Sequence, residues 1–154
     1  MPRPSNILVF GAFGAAVVLG ASACPQSPSS RPGDREMRVE LDAYSGQPNP
    51  SWDLTPQQAE DLVQRLQALP EERGGGSVRD GLGYRGFIVT GGADLSGFDE
   101  MVVSNGVVLG RRAGKTQKLA DSGRELEKWL LHTGKGRVAN DLYDDIAKDS
   151  DPQD

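Results

Sequence analysis

Between Met37 and Tyr44 apolar and polar residues alternate, with Met37, Val39, Leu41 and Ala43 on one side and Arg38, Glu40, Asp42 and Tyr44 on the other. A period of two over this length predicts a half-buried strand. After Leu54 the period lengthens. Ala59, Leu62, Val63, Leu66 and Leu69 form one helical stripe, Thr55 and Gln58 stand at capping-box spacing, Pro56 suits the first helical position, and Pro70 ends the run. Glu71 to Gly83 reads as a glycine-rich loop. Tyr84 to Thr90 predicts a second strand, Phe87 and Val89 facing one way, Tyr84 and Ile88 the other, before a loop from Gly91 to Gly97. Met101 to Leu109 is a hairpin around Asn105-Gly106, whose type I′ turn sets Val103 opposite Val108. A helix opens over Asp121–Glu125, with Ser122 and Glu125 at capping-box spacing; it buries Leu126, Trp129 and Leu130 and ends at Gly134. Val138, Leu142 and Ile146 predict a terminal helix, and residues 149–154 an acidic, disordered tail. The order β-α-β-β-β-α, with one further helix at the end, predicts an α+β fold: a small, mainly antiparallel sheet with two or three helices packed on one face.

The chain before Met37 has a different character. Met1 to Asn6 carry one arginine, and the thirteen mostly apolar residues from Ile7 to Leu19 fall short of the roughly 20 that span a bilayer. They fit the h-region of a signal peptide over residues 1–23, closed by the small residues Ala21-Ser22-Ala23. Cys24, the one cysteine of the chain, follows at once. Leu19-Gly20-Ala21-Ser22-Ala23-Cys24 resembles a bacterial lipobox, with Ala21 where that family usually has leucine. The resemblance implies a diacylglyceryl thioether on Cys24 and cleavage before it; plain secretion with cleavage at the same bond is the alternative. Residues 24–36, rich in Pro, Ser and Gly, read as an extended linker between the lipid-bearing Cys24 and a single domain over residues 37–148. The expected location is the cell envelope, membrane-anchored, or otherwise a soluble secreted or periplasmic form.

Of the 154 residues, 17 are basic and 22 acidic, a net charge of −5, which argues against a nucleic-acid partner needing a basic face for phosphates. One cysteine and one histidine leave no material for a disulfide framework or the usual multi-ligand metal centres, so no metal and no cofactor are expected. Gly110-Arg111-Arg112-Ala113-Gly114-Lys115-Thr116 has three residues between its glycines where a P-loop needs four. It reads as a basic solvated loop with Lys118, able to meet anionic headgroups or an acidic partner, and no nucleotide is expected. His132, near a helix C-terminus, answers the dipole. Asp144, Asp145, Asp149 and Asp151 lack the spacing and turn glycine of a calcium loop. Asn49-Pro50-Ser51 is a glycosylation sequon spoiled by its proline. Glu71, Glu72, Asp94, Asp99 and Glu100 lie in or beside loops, where a pair of them would supply the acid and base of a small hydrolase.

Two stretches stand out. Tyr44-Ser45-Gly46-Gln47-Pro48-Asn49-Pro50-Ser51-Trp52 is stiffened by two prolines, and a stiff loop carrying Asn49 and Trp52 is pre-organised for recognition. Gly81-Leu82-Gly83-Tyr84-Arg85-Gly86-Phe87 has glycines that permit close backbone approach. Together they resemble the paired Ser-Gly-x-Pro-Asn-Pro-x-Trp and Gly-Tyr-x-Gly-Phe signatures of small exported proteins of unknown function, a resemblance that names no chemistry. Asn49, Trp52, Tyr84 and Arg85 are the candidate binding residues; equally, Trp52 packs a rigid corner with Tyr84 beside it. Trp52 is expected to be packed and Asn49 exposed. The function read from this is a non-catalytic binding or structural domain, acting on a protein or glycan partner and held to a membrane through Cys24. The alternatives are a carboxylate-dependent hydrolase, or an inhibitor presenting the Pro48–Pro50 loop to an exported enzyme.

Overall fold

The computed structural model describes residues 36–92 and 95–150; Cys24, the signal segment, most of the linker, Asp94 and residues 151–154 lie outside them. Among the described residues the elements run β1 (Arg38–Asp42), β2 (Ser51–Asp53), α1 (Pro56–Ala68), β3 (Gly86–Thr90), β4 (Glu100–Ser104), β5 (Val107–Arg112), β6 (Lys115–Ala120), α2 (Glu125–Thr133) and α3 (Asn140–Ser150). The six strands form one antiparallel sheet in the order β2-β1-β3-β4-β5-β6, so the fold is α+β. No described helix is long and apolar enough to cross a membrane.

The register explains which face is core. Val39 pairs with Trp52 and Val89, Leu41 with Phe87, Phe87 with Val103, Val89 with Met101, and Val103 with Val108, which pairs with Leu119. All of these point to one side and all are buried. Leu62 and Leu66 of α1, Leu126, Leu130 and Leu131 of α2, and Ile146 of α3 belong to the same apolar cluster. The capping box of α1 forms as its spacing predicts: Gln58 N donates to Thr55 Oγ1 at 3.2 Å and Thr55 N to Gln58 Oε1 at 2.9 Å. Asn105 and Gly106 take φ of 53° and 76°, and the hairpin pairs Val103 with Val108.

Several local expectations are corrected. The basic stretch is not a loop: Ala113 and Gly114, at φ of 46° and 75°, make a second tight turn, and Lys115–Ala120 is an edge strand. Its residues up to Lys118 are exposed on both faces, so no period betrays it. β2, only three residues long, is another polar edge strand. Tyr84 does not share the face of Ile88. Gly86, at φ +130°, breaks the alternation and turns the Tyr84 ring towards the core, edge-on to Phe87 at 5.9 Å. Ser122 does not cap α2; the Asp121 carboxylate does, accepting Leu126 N at 3.1 Å and Glu127 N at 3.2 Å. Asp149 is helical, and α3 runs to Ser150 rather than stopping before a tail.

Candidate functional site

The two distinctive stretches meet. The chain leaves β1 at Asp42 and enters β3 at its pairing partner Gly86, so the loops on either side sit at one end of the sheet. Asp42 is where they are tied. Its carboxylate accepts two hydrogen bonds from the Arg85 guanidinium, that from Nε at 2.8 Å, and a third from Asn49 Nδ2 at 3.3 Å. Arg85 N donates to Asp42 O at 2.7 Å and Arg85 Nη2 to Tyr44 O at 3.2 Å. The hydrogen bond to Asp42 raises the Arg85 pKa further.

Asn49 is half-buried rather than exposed, and all its polar capacity is used inside the protein. Its Oδ1 accepts from Ala43 N at 3.1 Å and Tyr44 N at 2.9 Å, while Nδ2 reaches Glu40 Oε1 at 3.0 Å as well as Asp42. An amide is needed here because the site requires an acceptor on one side and a donor between two carboxylates on the other. Trp52 is 3 % exposed. Its indole stands edge-on to Phe87 at 6.3 Å, Nε1 donates to Thr133 Oγ1 at 3.0 Å, and the ring fills the space that only a glycine at 134 leaves.

Tyr84 opens a second polar cluster on the helical side. Its hydroxyl donates to Glu127, whose side chain is fully buried and also accepts Arg124 Nε and Nη2, each at 2.9 Å. Arg124 itself takes a left-handed φ of 56° just before α2 and reaches Asp149 Oδ2 at 3.1 Å. Arg79 closes the ring, 2.7 Å from Asp149 and stacked 5.6 Å above the Tyr84 ring. Burial, then the Glu127 charge, push the Tyr84 phenol up, so it stays a proton donor. Burial raises the Asp121 carboxyl against the opposing pull of backbone N–H groups. Burial also works to raise Asp149, but the hydrogen bonds from Arg124 and Arg79 outweigh it and hold that carboxyl below its ordinary value. Beside this cluster runs an open groove of about 500 Å³, lined by Glu72, Asn105, Asp121, Arg124, Asp149 and Ser150. Both Glu127 oxygens are already occupied and the tyrosine stays protonated, so this arrangement braces α2, α3 and the Arg79–Tyr84 loop rather than exchanging protons.

Thus the structure places Asn49, Trp52, Tyr84 and Arg85 in one region and uses their polar atoms internally. What it leaves outside are the tips: Ser45–Pro48 and Gly81–Gly83 are exposed, and Leu82 is 94 % exposed. Sequence reading passed over Leu82; the glycines that flank it, Gly81 and Gly83, are the signal that a side chain there has no cover. The loop carboxylates go elsewhere. The Glu72 carboxylate accepts Gly74 N, Asp99 accepts Ala113 N at 3.0 Å, and Glu100 pairs with Arg111 at 3.4 Å, while Glu71 is joined to Leu119 by an isolated backbone bridge. Among the described residues no three His, Cys, Asp or Glu side chains are grouped to hold a metal ion. Comparison of the chain with models of protein families, with curated proteins and with solved structures finds no match.

Proposed function

We propose that this is an exported envelope protein, lipid-anchored through Cys24, whose α+β domain binds a protein partner without catalysing a reaction. The observation that carries the reading is the tie at Asp42. A carboxylate, an amide and a guanidinium tie Asp42, Asn49 and Arg85 together at the bases of the two loops, whose Ser45–Pro48 and Gly81–Gly83 tips are exposed. A surface fixed in this way loses little conformational entropy on binding. The Leu82 side chain is the natural anchor, since burying a leucine in a partner's pocket gains about 1.5–3 kcal/mol. The lipobox-like signal and the Pro/Ser-rich linker support the anchoring half of the reading.

Each half has its own test. The intact mass of the protein recovered from envelopes should exceed that of unmodified residues 24–154 by a diacylglyceryl group, with or without a further acyl chain; the unmodified mass refutes the anchor. For binding, chemical cross-linking in envelopes should give a discrete protein adduct with the wild-type domain that is lost with Leu82→Asp or Gln47→Ala. Both variants should keep the wild-type melting temperature. An adduct pattern unaffected by either substitution refutes the recognition surface.

A further inference from the structure

The two ends of the sheet differ in charge, and the chain enters the domain at one of them. Arg38, the first residue of β1, lies in register with Thr90, Glu100, Arg111 and Thr116. Glu36 and Met37 bring the chain in just before this row, and the Ala113-Gly114 turn between β5 and β6 lies just beyond it. The opposite end carries Asp42 and Gly86, with the tie between the two loops, and the Asn105-Gly106 turn. The β5–β6 corner is basic. Residues from Arg111 to Lys118 are all exposed, and their cations Arg111, Arg112, Lys115 and Lys118 face only Asp99 and Glu100 on the adjoining chain. Glu100 is spent on Arg111 at 3.4 Å, and Asp99 turns its carboxylate onto Ala113 N at 3.0 Å. Arg112 and Lys115 flank the turn as a register pair and have no ion pair among the described residues. At the other end the balance is reversed. Arg79 and Arg124 meet Glu127 and Asp149 there, and Glu72 and Asp121 line the same groove as Asp149.

We propose that the Arg112–Lys115 corner rests on a membrane surface of anionic lipid headgroups, so that the Ser45–Pro48 and Gly81–Gly83 loops at the far end of the sheet point away from the bilayer. This rests on the lipid anchor at Cys24 proposed above, and adds which side of the domain the membrane meets. Each Lys or Arg close to an anionic surface favours the contact about fivefold, and the same field repels the acidic end. Two uncompensated cations would not hold a free protein of net charge −5 on such a surface. A tether changes the outcome, because the contact then forms at a high effective concentration. The chemistry matches as well: guanidinium and ammonium groups only donate, and a headgroup phosphate supplies acceptors for the planar fork of Arg112. Glu36, the other exposed acid at this end, does not cancel the corner. Three strand spacings separate β1 from β5, about 14 Å, which exceeds the Debye length of about 10 Å at 0.1 M salt. No packing is lost on contact, since Arg112 to Lys115 are exposed already.

Because Cys24 is the one thiol of the chain, the tether can be made chemically. The full chain is coupled through Cys24 to a maleimide-bearing lipid in vesicles of phosphatidylcholine, with or without about 30 % phosphatidylglycerol. Brief acetylation followed by peptide mass spectrometry then reads each lysine. Lys148, beside Asp149 at the acidic end, is the internal reference. On the anionic vesicles Lys115 should react at least about fivefold more slowly relative to Lys148 than on the neutral ones. Raising the salt from about 0.01 M to about 0.5 M should remove that protection. Arg112→Glu should remove it too, while Leu82→Asp, at the other end, should leave it intact. Equal Lys115 reactivity on the two kinds of vesicle overturns the proposal, as does protection that survives Arg112→Glu or high salt, or that falls on Lys148 instead. Since the tether here is chemical, such a result removes the contact and leaves the natural lipid on Cys24 to be decided by the intact mass.

Discussion

Trp52 and Gly134 are far apart in the chain, and their contact gives a prediction with a change of sign. Trp52→Ala removes an indole that is 3 % exposed and packed against Phe87 and the end of α2. Large-to-small changes of this kind cost about 3–5 kcal/mol, or roughly 10–25 °C in melting temperature for a domain of this size. Gly134→Ala acts on the same space from the other side. A Cβ there would lie 2.6 Å from Trp52 Cη2, and the ring, held by Thr133 and Phe87, has nowhere to retreat. Overpacking should cost about 1–3 kcal/mol. Yet Gly134 has φ −87°, which alanine adopts without strain. In the Trp52→Ala background the clash is gone, and only the entropic advantage of alanine in the unfolded chain remains, about 0.4–1 kcal/mol of stabilisation. The double-mutant cycle should therefore show a coupling of about 2 kcal/mol or more, with Gly134→Ala destabilising alone and neutral or stabilising when combined with Trp52→Ala. Thermal and urea melts of the four proteins measure it. Equal Gly134→Ala costs in both backgrounds, or an unchanged melting point for Trp52→Ala, would refute the packing argument.

Asn49→Asp should cost about 2 kcal/mol or more at neutral pH, because an acceptor replaces the donor between Glu40 and Asp42. Urea melts at neutral pH measure it, and an unchanged midpoint would contradict it. Glu127→Gln should cost about 3–5 kcal/mol by leaving Arg124 without its buried counter-charge, and Tyr84→Phe about 1–3 kcal/mol; urea melts of the pair check both. Asp149 has a lowered carboxyl pKa, so its contribution is complete above the ordinary value of 3.8 and disappears as pH falls through the lowered one. Asp149→Asn should thus melt earlier than wild type at about pH 7, by a small margin that salt reduces, and the two curves should converge in strong acid.

What was legible in the sequence was local. The capping box at Thr55, the Asn105-Gly106 turn with its Val103–Val108 pair, and the four alternating apolar residues of β1 and its flanks need only their neighbours to be understood. Edge strands were not legible, because β2 and β6 each bury a single side chain and a period cannot be read from one position. Capping of α2 escaped because Arg124 turns left-handed and moves the job from Ser122 to Asp121. The site escaped for another reason. Arg85 and Asp42 are 43 residues apart, as are Tyr84 and Glu127, and no spacing rule joins them until the sheet order is known.

The most distinctive residues of the chain are thus the ones least available to a partner. The tie is only half-buried, with the Arg85 and Asp42 side chains 24 % and 22 % exposed, and an ion pair in that setting adds little to stability, so stability alone gives weak reason for its presence. Geometry gives a stronger one. An apolar corner would let the loops at 45–48 and 81–83 settle in several ways, but Asn49 accepts only if Ala43 N and Tyr44 N converge, and it donates only if Glu40 and Asp42 flank it. Arg85 adds a directional fork from the neighbouring strand. Such requirements select one arrangement of the loops, and a surface in one arrangement is what recognition needs. On the proposed function, plain residues such as Gln47, Pro48 and Leu82 carry the contact, and the unusual side chains hold the loops beneath them.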